Sequence, residues 1–214
     1  MRLVAVELKQ LLAARAEQLY TISTEGGYLL WAAQARIYRG WAQAMNGETD
    51  AGLAEMNAGI ESYRLTGSGL MMAQMYLMLA EAYWRGGRPG KALAAVSKGL
   101  RHGSENQEHV YEPELHRLRG EIQVAQGANG AGEASFRRAI EVAQTQKARM
   151  LELRAALPMA RMLRDTGRAS AAMALLQPLF DWFQEGHQTP ELVSCQELLA
   201  ALKHNQADLA AETS

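Results

Sequence analysis

The sequence predicts an all-α protein built as a solenoid of helical hairpins, and columns of small residues in a fixed register predict it. Glycine or alanine stands at Gly40, Ala80, Gly120, Ala160 and Ala200, one every 40 residues. A second column, Gly47, Gly87, Gly127 and Gly167, follows seven residues behind, and a third, Gly52, Ala92, Gly132 and Ala172, follows twelve behind. Large residues keep the same register at Met56, Val96, Phe136 and Leu176, and again at Ile60, Leu100, Ile140 and Phe180. A period of this size marks stacked units, each unable to bury its apolar face alone.

Within each period the apolar spacing is helical, as at Leu77, Met78, Ala80, Ala82 and Tyr83 before the Gly86-Gly87 stop. Residues 3–22 read as the second helix of a preceding repeat. First helices are expected near 28–45, 69–85, 111–126 and 148–165, with partners near 50–65, 89–102, 131–146 and 169–184. Pro190 to Lys203 reads as the first helix of a following repeat, and no segment reads as a strand. Small residues in the first and third columns let paired helices approach closely. The expected organisation is a single solenoid over 1–204, four full repeats with a half repeat at each end, followed by a flexible tail over 205–214.

An apolar content of 48% in 214 residues is ample for burial, and a formal net charge of -1 argues against nucleic acid or an anionic membrane as the main partner. A single cysteine, Cys195, excludes an intramolecular disulfide and a cysteine-based zinc cluster, which fits a reducing cytoplasm. The opening Met1-Arg2-Leu3-Val4-Ala5-Val6-Glu7 has an apolar run too short for a signal peptide, and no stretch has the length and apolarity of a membrane span. The chain is therefore expected in the cytoplasm.

Leu79, Ala80, Tyr83, Gly87, Ala92, Val96 and Leu100, joined by Gly120, Gly127, Phe136 and Ala139 one period later, resemble the tetratricopeptide repeat. That family implies a right-handed α-α superhelix. The ordinary repeat has 34 residues, so six extra residues per period mean longer helices or links. The segments Ala35 to Ala42, Glu114 to Glu121, Leu151 to Leu157 and Trp182 to Gly186 are similar to the C-terminal repeat region of multidomain bacterial signalling proteins that join a nucleotide cyclase to an ATPase. This resemblance implies a repeat module without the cyclase or ATPase itself, and makes such a domain a candidate partner.

Chemistry-bearing motifs are weak. Arg85-Gly86-Gly87-Arg88-Pro89-Gly90-Lys91-Ala92 imitates a phosphate loop, but Arg85 replaces its first glycine and Ala92 its magnesium-ligating hydroxyl, so it reads as a turn with proline opening the next helix. His109, Glu112 and His116 could share a helical face as metal ligands, but Pro113 interrupts them. Cys195 invites pairing with His187 or His204 as nucleophile and base. Its register with Ala35, Met75, Leu115 and Ala155 instead places it in the core. The carboxylate pairs Glu105 with Glu108 and Glu112 with Glu114 read as solvated surface. Met75 and Met78 read as core, whereas Met71 and Met72 are open to either core or surface. No catalytic site, cofactor or metal is expected.

In the family resembled, the first helix of each pair lines a concave groove. That correspondence nominates Trp41, Met45, Glu81, Trp84, Arg85, Arg117, Glu121, Arg154, Arg161 and Arg164 as partner-binding residues. They run from aromatic and apolar at Trp41, Met45 and Trp84 to basic at Arg154, Arg161 and Arg164. Pro158 removes the backbone donor to Arg154 and is expected to bend its helix. The sequence thus points to a noncatalytic scaffold that binds a protein or peptide along the groove. A small-molecule-sensing regulatory module would instead show a tight pocket around Trp41 and Trp84, and an enzyme would require a convergent site that the sequence lacks.

Overall fold

The computed structural model describes the backbone of residues 2–212 and the side chains of residues 11 and 13–204. Ten α-helices and no strand occur among the described residues. In order they are α1 (Arg2–Glu25), α2 (Leu29–Met45), α3 (Thr49–Leu65), α4 (Met72–Arg85), α5 (Pro89–Asn106), α6 (Glu112–Ala125), α7 (Asn129–Thr145), α8 (Arg149–Asp165), α9 (Ala169–Trp182) and α10 (Pro190–Glu212). The chain divides into two compact units, one ending at Tyr111 and the other beginning at Glu112. The backbone of α10 is described through Glu212, while side chains from 205 onward, where a tail is expected, lie outside the described residues.

Helix ends recur about every 20 residues because the same stop is used repeatedly. Gly27, Gly47, Gly87, Gly127 and Gly167 have φ between 68° and 103°. The residue after each sends its N–H back over one turn, as in Glu48 to the Gln43 carbonyl (3.0 Å), Arg88 to Tyr83 (2.9 Å), Ala128 to Gln123 (2.9 Å) and Arg168 to Leu163 (2.8 Å). This is the Schellman closure, which needs a left-handed residue. Gln107 (φ 59°) and Lys147 (φ 55°) fill the same place without being glycine. Gln107 ends α5 at Asn106, later than the 102 expected, and the left-handed Met71 (φ 61°) delays α4 from the expected 69 to Met72.

The cost of the left-handed region to a residue with a Cβ leads to an expected result. Lys147→Gly should raise stability by about 1 kcal/mol, read as a higher urea midpoint at unchanged slope. An unchanged or lower midpoint would mean that Lys147 carries no strain there.

The small columns are the seams of the hairpins. A Cβ built at Gly40 would lie 2.6 Å from the Gly52 carbonyl oxygen, and one at Gly52 would lie 2.3 Å from that of Gly40. Their counterparts Ala80 with Ala92 and Ala160 with Ala172 are completely buried, so those pairs have room for a methyl. Gly120 yields its space to Phe136, whose ring would lie 2.5 Å from a Cβ at that position. Met56, Val96, Phe136 and Leu176 are buried as the register requires. Ala200 holds the first-column place in α10 but is exposed, because no second helix follows α10 among the described residues.

Consecutive helices pack within each unit, but the two helices of a pair are not equivalent. In the first unit α2 packs closely on α4, whereas no Cα of α3 comes within 8 Å of one in α5. In the second, α8 packs closely on both α6 and α10, whereas no Cα of α7 comes within 8 Å of one in α9. First helices therefore stand closer together than second helices, which puts them on the inner side of each unit's bend.

Candidate partner-binding surface

The inner layer of the second unit is where helical spacing and charge converge. Glu114, Arg117 and Glu121 follow at i, i+3 and i+7 on α6, so they share one face. Arg154 and Arg161 are likewise seven apart on α8. The Arg117 guanidinium donates to Glu114 (Nε to Oε2, 3.0 Å) and to Glu121 (2.7 Å). Arg154, one period beyond Glu114, donates to the same Glu114 oxygen at 3.0 Å and lies 3.9 Å from Glu191 of α10. Glu114 is buried, and its other oxygen, Oε1, has no partner. Burial alone would favour a neutral Arg117, but Glu114 and Glu121 outweigh it and hold its pKa above the ordinary arginine value.

Beside this network lies an open cleft of about 210 Å³, lined by Arg117, Glu121, Arg154, Leu157, Pro158, Arg161, Pro190, Glu191 and Ser194. Helix α8 runs through Pro158, which itself lines the cleft. Arg161 is exposed and makes no ion pair among the described residues. Four of the residues nominated from sequence, Arg117, Glu121, Arg154 and Arg161, thus meet at one place. Arg164 does not line it and pairs with its neighbour Asp165 at 2.8 Å. The arginine row is not bare positive surface: Glu114, Glu121 and Glu191 neutralise much of it. Arg161 carries the uncompensated charge.

The remaining nominated residues belong to the first unit. Trp41 and Met45 on α2 are half-buried, and the Trp41 indole N–H is shut from solvent without an acceptor. On α4, Glu81 and Trp84 are half-buried and Arg85 is exposed. A cavity of about 540 Å³ in this unit lies elsewhere, lined by Tyr20, Thr24, Leu29, Leu30, Ala32, Ala33, Arg36, Ser62, Leu65 and Thr66. The sequence-based groove did not include it.

Other motifs resolve into packing. Arg85 closes α4, Gly87 turns, and Pro89 opens α5, so the phosphate-loop imitation is an interhelical link. Cys195 is completely buried in the core of the second unit, and burial together with Asp181 raises its thiol pKa to about 11. Met72 and Met75 are buried, Met78 is half-buried, and Met71 is the left-handed residue before α4. No group of three His, Cys, Asp or Glu residues is arranged to hold a metal ion among the described residues.

His116 on α6 is buried, and its Nδ1 accepts from Arg119 at 2.7 Å. Burial first, and Arg119 second, lower its pKa to about 4 from 6.5, against a smaller opposing effect of Glu112. The unfolded chain therefore binds more protons than the folded one between those values. Stability is fully present above about pH 6.5 and falls as pH drops toward 4, by an amount on the order of 3 kcal/mol. Replacing His116 with Asn should flatten the dependence of the urea midpoint on pH over that interval. An equally steep variant would place the titration elsewhere.

No helix among the described residues is long and apolar enough to cross a membrane. No protein-family model matches the chain. No curated protein matches it in sequence either. Among solved structures it is similar to the crystal structure of BtubC (BKLC) from P. vanneervenii, with a TM-score of 0.78 and 13% identity, over 94% of this chain and 85% of that one. At that identity the likeness shows the fold alone: the chain shares an all-helical architecture of sequentially packed helix pairs.

Proposed function

We propose that the protein is a noncatalytic interaction scaffold of the tetratricopeptide type, working in the cytoplasm and holding a protein or peptide partner against the inner face of α6, α8 and α10. The supporting observation is the cleft of about 210 Å³ in which an unpaired, exposed Arg161 stands beside the ordered Arg117–Glu114–Arg154 network. A prearranged ion network holds its side chains in place before a partner arrives, which lowers the ordering cost of binding. A partner carboxylate is the natural complement of Arg161, whose planar guanidinium binds such a group through paired hydrogen bonds. The partner's apolar part would rest on Leu157, Pro158 and Pro190. The cyclase or ATPase domains of bacterial signalling systems are the partners to try first, on the strength of the sequence resemblance. The small-molecule-sensing alternative asks for a pocket at Trp41 and Trp84, and neither residue lines the large cavity of the first unit.

Capture of cytosolic partners by the wild-type chain and by Arg161→Glu, followed by titration with the purified partner, tests the proposal. Charge reversal should weaken binding at least about tenfold, since truncation of a central interface arginine alone often costs about 2 kcal/mol. Equal affinity for both chains would remove the cleft from the interaction.

A further inference from the structure

Proline stands inside α8 at Pro158, where the other first helices carry Tyr38, Met78, Leu118 and Leu198. A proline has no backbone N–H, so α8 alone among these described helices lacks, at this register, the donor to the carbonyl one turn back, that of Arg154. Arg154, Pro158 and Arg161 follow at i, i+4 and i+7, so they share one face of α8, and all three line the cleft of about 210 Å³. A helical carbonyl points along the axis toward the residue four ahead. The unclaimed oxygen is therefore set between two residues that line the cleft. Long helical side chains lean toward the preceding turn, and for Arg161 that turn is the one holding Pro158. A free acceptor and an unpaired guanidinium thus share one place.

We infer that the cleft takes an acidic residue of an extended partner segment, whose main-chain N–H donates to the Arg154 carbonyl while its carboxylate pairs with Arg161. The inference rests on the cleft being the partner surface. Water can satisfy the carbonyl while the cleft is open, but a partner seated on Leu157, Pro158 and Pro190 expels that water. A carbonyl then buried without a donor weakens binding about tenfold or more, so a partner that covers this place must bring an N–H. An α-helical partner has spent its N–H groups on its own carbonyls beyond the first turn, whereas an extended segment keeps them free along its edge. A lysine ammonium could also donate, but it would stand beside the guanidiniums of Arg154 and Arg161 and be repelled. Pro158 is in this way a specificity determinant, acting through the carbonyl it leaves free.

The test titrates the full chain, carrying labelled leucine methyls, with acetyl-Leu-Glu-Leu-amide and with the same peptide methylated on the glutamate nitrogen. Saturable shifts are expected at Leu157 with the first peptide, and the methylated one should bind at least about tenfold more weakly. Pro158→Leu returns a backbone N–H to the Arg154 carbonyl and installs the residue that α6 and α10 carry at this register, Leu118 and Leu198. It should bind the two peptides within about twofold of each other, because any effect of methylation on the peptide's own conformation cancels in the ratio between chains. Pro158→Ala makes the same comparison if the leucine variant misfolds. A wild type that binds both peptides equally, or Pro158 variants that discriminate as strongly as the wild type, would overturn the inference. No saturable shift in the wild type would overturn it as well. Arg161→Glu tells this failure from that of the cleft. If it loses the peptide while methylation costs the wild type nothing, the cleft stands and the donor assignment falls. If it binds the peptide as tightly as the wild type, both fall.

Discussion

Gly52→Val should cost about 3 kcal/mol or more, the largest single-residue effect expected in the first unit. At Gly52 even a Cβ would lie 2.3 Å from the Gly40 carbonyl oxygen and 2.6 Å from the Ala44 nitrogen. These are backbone atoms of α2, which cannot rotate away as a side chain can. The helices must separate, and separation loosens Leu53 and Met56 on the same face of α3 together with their apolar surroundings. Gly90→Ala is the matched control, since it too adds a Cβ to a helical glycine but meets nothing within 4 Å. It should leave stability unchanged or raise it by about 0.5–1 kcal/mol through helix propensity. Comparable urea midpoints for the two variants would show that the α2–α3 seam yields easily and that the small-residue columns do not set the helix spacing.

Glu114→Gln should cost about 2–4 kcal/mol, because it leaves Arg117 buried with less of its compensating charge. The side chains of Glu114 and Arg117 are 10% and 12% exposed, so water cannot replace the lost carboxylate. Arg154→Met removes the more exposed arm of the same network, 39% accessible, and should cost less than about 1 kcal/mol. The contrast separates a structural Glu114 from a surface Arg154. If both changes cost under about 0.5 kcal/mol, the network does not hold α6 against α8, and its role as a prearranged wall of the cleft falls with it. A double-mutant cycle between Glu114 and Arg117 measures their coupling directly.

The helices were legible because a fixed period multiplies weak signals. Gly47, Gly87, Gly127 and Gly167 are each only a glycine, but in register they mark one helix stop repeated, and the observed ends at Met45, Arg85, Ala125 and Asp165 follow from them. Where the stop is not a glycine, as at Gln107, the sequence under-reads the helix. Cys195 was assigned to the core by the same register and is completely buried there. The candidate surface was legible only in part. The residue types at Arg117, Glu121, Arg154 and Arg161 were available from the correspondence of first helices, but their compensation by Glu114 and Glu191 was not. Neither was the pairing of Arg164 with Asp165.

The sequence by itself determined the all-α fold, the hairpin seams and which residues share a helix face, since these depend on local backbone preferences and on a spacing of 40 residues that any reader of the chain can count. The tertiary structure decided which charges cancel and where space is left over. Those are properties of distances between helices: Arg161 is unpaired because no carboxylate reaches it, and a cavity of about 540 Å³ stays open among α1, α2 and α3. A column of residues shows which positions are equivalent, and only packed coordinates show where space stays open between them.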